Sequence, residues 1–162
     1  MSRGLKILLI ILVILIAFFL ASGVASRPAA ISGERASVII GGHTLSLEIA
    51  DEWTERVRGL SGREGLDEDK GLFFVFEEPD HHGIWMKDMN FSIDIIWLES
   101  LEGKKGQMRI VDIEENVDPD TYPTTFRPDK PAVYVIELAA GVSRNIGLEE
   151  GDILDIAFKD VR

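Results

Sequence analysis

The chain has 162 residues, no cysteine, and 28 acidic against 17 basic residues, for a net charge of −11. Without cysteine, a disulfide framework, thiolate metal sites and a lipid-modified cysteine anchor are excluded. The acidity opposes nucleic acid and anionic lipid, and no basic patch with interleaved aromatics offsets it.

The first element in chain order is a membrane helix. Arg3 and Lys6 precede an uncharged apolar run from Ile7 to Leu20 that continues to Val24. Eighteen helical residues rise roughly 27 Å, close to the thickness of the hydrocarbon core. The run is apolar all round, whereas a soluble helix carries a polar face. Residues 1–25 are therefore expected to be a signal anchor that spans the membrane through residues 5–24. The short basic end stays cytoplasmic and the rest lies outside. Gly23-Val24-Ala25 would also pass as a cleavage site, which would release the same part of the chain as a secreted domain. Residues 26–35 read as a linker, and 36–162 as a single extracytoplasmic domain of ordinary size.

Within the domain the pattern is mainly β. Ser37–Ile40 and Thr44–Ala50 alternate around Gly41-Gly42, a hairpin signal. Residues 51–60 predict a short helix with Trp53, Val57 and Leu60 on one face, ended by Gly59 or Gly62. Leu72–Phe76 is a continuous apolar run and Ile93–Leu98 is apolar but for Asp94; both are expected as strands buried on both faces. Ile84–Lys87, Gln107–Glu114, Val133–Ala139 and Asp152–Phe158 predict further strands. Residues 115–131 hold four prolines and show no period, and Val142–Ile146 can form a turn of helix. Seven or eight short strands with one or two short helices imply a β-barrel or a sandwich.

Several motifs recur along this pattern: Arg58-Gly59-Leu60, Gly71-Leu72-Phe73-Phe74-Val75-Phe76, Trp85-Met86-Lys87-Asp88, Ile93-Asp94-Ile95-Ile96, Ile136-Glu137-Leu138-Ala139-Ala140-Gly141 and Gly151-Asp152. Over residues 37–159 the chain resembles the domain-of-unknown-function 192 family, a group of small prokaryotic proteins. That resemblance implies an exported, often membrane-anchored domain and supplies no activity. Two positions depart from the family pattern: Asp88 stands where Asn is usual, and Ser92 where Pro is frequent.

Asp94 sits among Ile93, Ile95, Ile96, Trp97 and Leu98, where an acid costs several kcal/mol unless it is paired and hydrogen-bonded. Arg58, Lys87 and nearby backbone N–H groups are the available partners. One reading is a buried ion pair that sets strand register. The other is a pocket floor on which Asp94 orients Arg58 or Lys87 towards an anionic or hydroxylated ligand. Glu137, between Ile136 and Leu138, is a second acid expected to be partly buried. With Asp94 it could form the carboxylate pair of a glycoside-cleaving enzyme, or it could simply pair with Arg58. Trp85, Met86 and Trp97 read as core, or in the case of a Trp as a stacking platform. His81-His82 in an acidic turn allows a two-His and carboxylate metal site, but an exposed turn explains the same letters.

No Gly-rich phosphate loop, Gly-x-Ser-x-Gly elbow or cysteine nucleophile occurs. The reading that follows is a non-catalytic binding or accessory module without cofactor or metal. Arg58, Trp85, Lys87, Asp94 and Glu137 are its ligand-binding candidates, for a small polar ligand or an envelope component. A glycan hydrolase or lyase using Asp94 and Glu137, and a structural partner of another membrane protein through the acidic surface or residues 115–131, are the rival readings.

Overall fold

The computed structural model describes residues 35–159 except residue 41. The predicted anchor over residues 1–25 and all but the last residue of the predicted linker lie outside the described residues. Among the described residues no helix is long and apolar enough to cross a membrane.

The described residues form nine strands: β1 (Arg35–Ile40), β2 (His43–Ala50), β3 (Lys70–Asp80), β4 (Ile84–Trp85), β5 (Ile93–Ser100), β6 (Gln107–Val117), β7 (Thr125–Phe126), β8 (Ala132–Ala139) and β9 (Ile153–Lys159). Among the described residues there are also two short helices, α1 (Trp53–Arg58) and α2 (Val142–Asn145), and a 3-10 turn at Pro119–Thr121. Seven strands close a barrel in the order β1-β2-β3-β8-β5-β6-β9, and β4 pairs with β7 in a separate two-stranded sheet. The β2–β3 pair is parallel and the other pairings are antiparallel. A parallel pair needs a crossover instead of a tight turn, and residues 51–69 with α1 provide it.

The barrel has two cores. Its interior is filled by alternate residues, among them Val38, Leu47, Phe73, Ile96, Ile110, Leu138 and Ile156. Outside the β3-β8-β5 wall lies a second apolar layer, in which Leu72, Phe74, Ile95, Trp97 and Val135 meet Leu60, Ile84 and Met86. The apolar run of β3, and that of β5 broken only by Asp94, have this cause, since both faces of those strands are covered. Gly71 marks a close approach of the strands: a Cβ there would lie 2.6 Å from Leu47 Cδ2 and 2.8 Å from the Glu137 carbonyl oxygen.

The helix over residues 51–60 forms, but with its apolar stripe turned outward. Leu60 is buried, while Trp53 is 68% and Val57 50% exposed. Glu52 and Glu55 form a reciprocal capping box, which holds the first turn without apolar burial. Gly59 ends α1 at φ 51°, ψ −133°, a conformation essentially confined to glycine.

Candidate functional site

Two motifs of the sequence meet through backbone bonds. Ser61 Oγ donates to the Lys87 carbonyl at 2.8 Å, Gly62 N to the Asp88 carbonyl at 2.8 Å, and Asn90 Nδ2 to the Arg63 carbonyl at 2.8 Å. The Arg-Gly-Leu loop is thereby stitched to the Trp-Met-Lys-Asp turn. Asp88 holds φ 56°, a left-handed value that Asn and Asp tolerate best among residues with a side chain. Asp can therefore replace Asn at this position, because the turn uses its backbone conformation and its carbonyl.

Between these segments and the barrel wall is a cleft of about 50 Å³. Arg56, Val57, Arg58, Gly59, Leu60 and Ser61 form one side, Gly83, Ile84, Trp85 and Met89 the other, and Phe74 and Glu137 the floor. Glu137 is only 5% exposed, and among the described residues its Oε2 has no hydrogen-bond partner. Gly59 passes directly above it: a Cβ on Gly59 would stand 3.8 Å from Oε2. Burial raises the Glu137 carboxyl to a pKa of about 8, against a smaller lowering by Arg63. Arg63 is itself held by a bidentate pair with Glu48, at 2.9 and 3.1 Å. At pH 7 Glu137 is thus a neutral acid, able both to donate and to accept.

Trp85 stands at the rim, 48% exposed, and meets Tyr122 edge-on with ring centroids 6.4 Å apart. Arg56 is engaged elsewhere, donating to the Val75 carbonyl at 2.9 Å and lying 5.5 Å from the centre of the Phe76 ring.

The candidate residues separate into two groups. Arg58, Trp85 and Glu137 line the cleft, whereas Lys87 and Asp94 do not. Asp94 is fully buried and accepts four hydrogen bonds. Asn116 N and Gly141 N bond Oδ1 at 2.9 and 3.0 Å, and Ser143 N and Oγ bond Oδ2 at 3.0 and 2.7 Å. These bonds fill the acceptor capacity of a carboxylate, so of the partners expected for Asp94 it takes backbone N–H groups rather than Arg58 or Lys87, and adds the Ser143 hydroxyl. Asp94 ties the end of β6 and the β8–α2 turn to β5.

The carboxylate pair of the hydrolase reading is not assembled. Ile95 pairs with Glu137, and Asp94 with Leu138. Facing residues share a face and neighbours alternate, so Asp94 points into the barrel with Leu138 while Glu137 points outward with Ile95. Acid and base cannot face one cleft in that register.

The histidines of the acidic turn also have structural partners. His81 Nδ1 lies 2.7 Å from the Pro128 carbonyl and His82 Nε2 3.0 Å from the Glu78 carbonyl, so each of these nitrogens carries its proton. The His82 ring stacks on Phe76 at 3.6 Å, and its carbonyl accepts from Trp97 Nε1 at 2.8 Å. Among the described residues no group of three or more acidic or His side chains is placed to hold a metal ion. Met86 and Trp97 are core, and Trp85 alone of the three is presented to solvent. Tyr122, the aromatic partner of Trp85, carries no sequence signal: it comes from the aperiodic Pro-containing stretch.

A small closed β-barrel with a neutral buried acid in a cleft on its outer wall is the class that the fold and the cleft define. The chain belongs to the domain-of-unknown-function 192 family, described as an uncharacterised ACR, whose model matches residues 36–156. It is 33% identical over 110 residues to a UPF0127 protein of Thermococcus gammatolerans and 32% identical over 110 residues to one of Thermococcus kodakarensis. Each match covers 67% of this chain, but only 64% and 62% of those relatives. A protein from Sinorhizobium meliloti, described as a candidate transcription regulator, is similar in structure, with TM-score 0.65 and 28% identity over 77% of this chain and 92% of that one. A protein of unknown function from Novosphingobium aromaticivorans shares the fold, with TM-score 0.63 and 24% identity over 83% and 97% of the two chains.

Proposed function

We propose that the protein is a non-catalytic binding module, which takes a polar group of a small ligand or envelope component into the Glu137 cleft. One observation carries this reading: Glu137 Oε2 is buried, without a hydrogen-bond partner among the described residues, at the floor of a cleft open to solvent. A buried polar atom left unsatisfied costs about 1–3 kcal/mol, and a ligand that supplies the missing hydrogen bond recovers it. Arg58 and Trp85 flank the entrance and give it direction. The volume of about 50 Å³ admits a hydroxymethyl- or amide-sized tip and leaves the rest of the ligand outside. The net charge of −11 gives no reason to carry a nucleic-acid role over from the Sinorhizobium protein.

The test uses the full chain in micelles of a non-glycosidic detergent. Thermal unfolding is followed with polyols, sugars, amides and carboxylic acids for the native chain and for Glu137→Leu, which replaces the unpartnered acid with an apolar group. A ligand at a hundred times its Kd stabilises the native chain by about 2.7 kcal/mol, and Glu137→Leu should show no such gain. If no class shifts the native chain, or if Glu137→Leu keeps every shift, the reading fails.

The module is held outside the cell membrane by residues 5–24. An uncharged run of membrane-spanning length behind Arg3 and Lys6 supports this placement. Protease added to intact spheroplasts should digest the domain while the chain fractionates with membranes. Digestion only after lysis would reverse the orientation, and recovery in the soluble medium would replace the anchor with a cleaved signal.

A further inference from the structure

We propose that the ligand of the Glu137 cleft is a neutral saccharide, stacked on Trp85 with one hydroxyl inserted down to the Glu137 carboxyl. This rests on the cleft being a binding site and goes on to name the class of its ligand.

The argument proceeds by charge and then by shape. An anionic ligand must approach a chain with net charge −11, whose summed field repels it at long range. A cationic ligand must pass Arg56 and Arg58, both of which line the cleft, and would have to ionise an acid that burial keeps protonated. A hydroxyl is neutral, and it is donor and acceptor at once. A neutral carboxyl has the same two capacities, so the pair closes two hydrogen bonds without moving a charge.

The rim supplies what the rest of a sugar needs. A pyranose ring presents a flat C–H face beside a polar edge, and an exposed indole matches the first while nearby polar groups bond the second. Trp85 is 48% and Tyr122 47% exposed, set at 70° to one another, which makes a walled platform instead of a flat one. Across the cleft, Val57 lines the opposite side and Trp53 lies one helical turn before it on the same face of α1. Apolar surface therefore flanks the polar floor on two sides, as a disaccharide lying over the opening requires.

The titration of Glu137 adds a signature. The charged groups around it are Arg56 and Arg58 from α1 and Arg63 from the following loop; Phe74, Ile84, Trp85 and Met89 contribute none. Binding through the neutral acid is full below a pKa of about 8 and declines above it. The neutral fraction, and the affinity with it, falls about tenfold between pH 7 and pH 9.

Titrations of tryptophan fluorescence on the full chain, in the same non-glycosidic micelles, test this with glucose, N-acetylglucosamine, maltose and chitobiose against glucuronate and glucosamine. At least one neutral sugar should bind at least tenfold more tightly than both charged ones at pH 6. Trp85→Ala should weaken that binding tenfold or more, while Trp85→Phe restores most of it. Glu137→Gln should keep the affinity and lose its decline towards pH 9. If glucuronate or glucosamine binds best, or if a non-sugar amide or acid binds through Glu137 and no sugar does, the saccharide assignment is overturned while the cleft remains a binding site. If Trp85→Ala and Glu137→Leu both leave sugar binding intact, the sugar binds elsewhere and the assignment is overturned as well.

Discussion

Replacing Glu137 with Gln should make the folded protein more stable at pH 7 by about 3 kcal/mol, and the gain should vanish towards pH 4.5. The carboxyl of an unfolded chain loses its proton near its ordinary value of 4.5, whereas the folded one keeps it up to about 8. Between those two values the native state binds one more proton than the unfolded state. Unfolding then releases a proton, and stability falls as pH rises, by about 1.4 kcal/mol per pH unit. Above the folded pKa the loss is complete and the dependence is flat. Gln has the same shape and cannot ionise, so it removes this slope and little else. Urea midpoints at pH 5, 7 and 8.5 measure it: the two proteins should converge at the lowest pH and separate steadily above it. Parallel curves would mean that Glu137 is not the buried acid described here. A residue that costs stability at neutral pH and keeps a buried oxygen unbonded is the pattern of a site kept for binding.

Asp94→Ala should act in the opposite direction, with a loss of about 3–5 kcal/mol. The substitution strands three backbone amides and one hydroxyl, those of Asn116, Gly141 and Ser143, around a fully buried position. Asn116 and Gly141 both hold left-handed backbone, at φ 53° and 83°, which these bonds help to keep in place. Asp94→Asn retains one acceptor oxygen but turns an amide donor towards another donor, so it should cost about 2–3 kcal/mol. Since total stability is about 5–15 kcal/mol, the Ala variant should lie near the edge of folding. Denaturant titration of the two variants separates this role from one at the cleft: a loss under about 1 kcal/mol for Ala would mean the carboxylate is not a clamp. In ligand titrations Asp94→Asn should bind like the native chain wherever it is folded.

The two acids looked alike in the sequence, each in an apolar run, and they have contrary roles for a reason that no local reading contains. The partners of Asp94 lie 22 to 49 residues away along the chain, and three of the four are backbone N–H groups, which every non-proline residue carries and no pattern marks. Arg58 and Lys87 were the visible cations, but register sends Asp94 into the barrel, away from the wall on which the cleft lies. The α1 stripe misled in a similar way. Trp53, Val57 and Leu60 have helical spacing, but the helix lies over the wall through its C-terminal end, so only Leu60 reaches the apolar layer.

The membership in the domain-of-unknown-function 192 family and the mainly β architecture were legible from residues alone, because motif order and alternation are properties of the chain itself. So was the depth of β3 and β5, since a strand covered on both sides has no polar face to show. The membrane run stands in the sequence and outside the described residues. What only the tertiary structure decided is which acid is satisfied. Pairing Ile95 with Glu137 and Asp94 with Leu138 assigns one carboxyl to four donors inside the barrel. The other lies under Gly59, raised in pKa by its burial, its Oε2 without a hydrogen-bond partner among the described residues. A shift of one residue in that register would bring the two acids onto one face, and the packing of two cores on opposite sides of one wall forbids it.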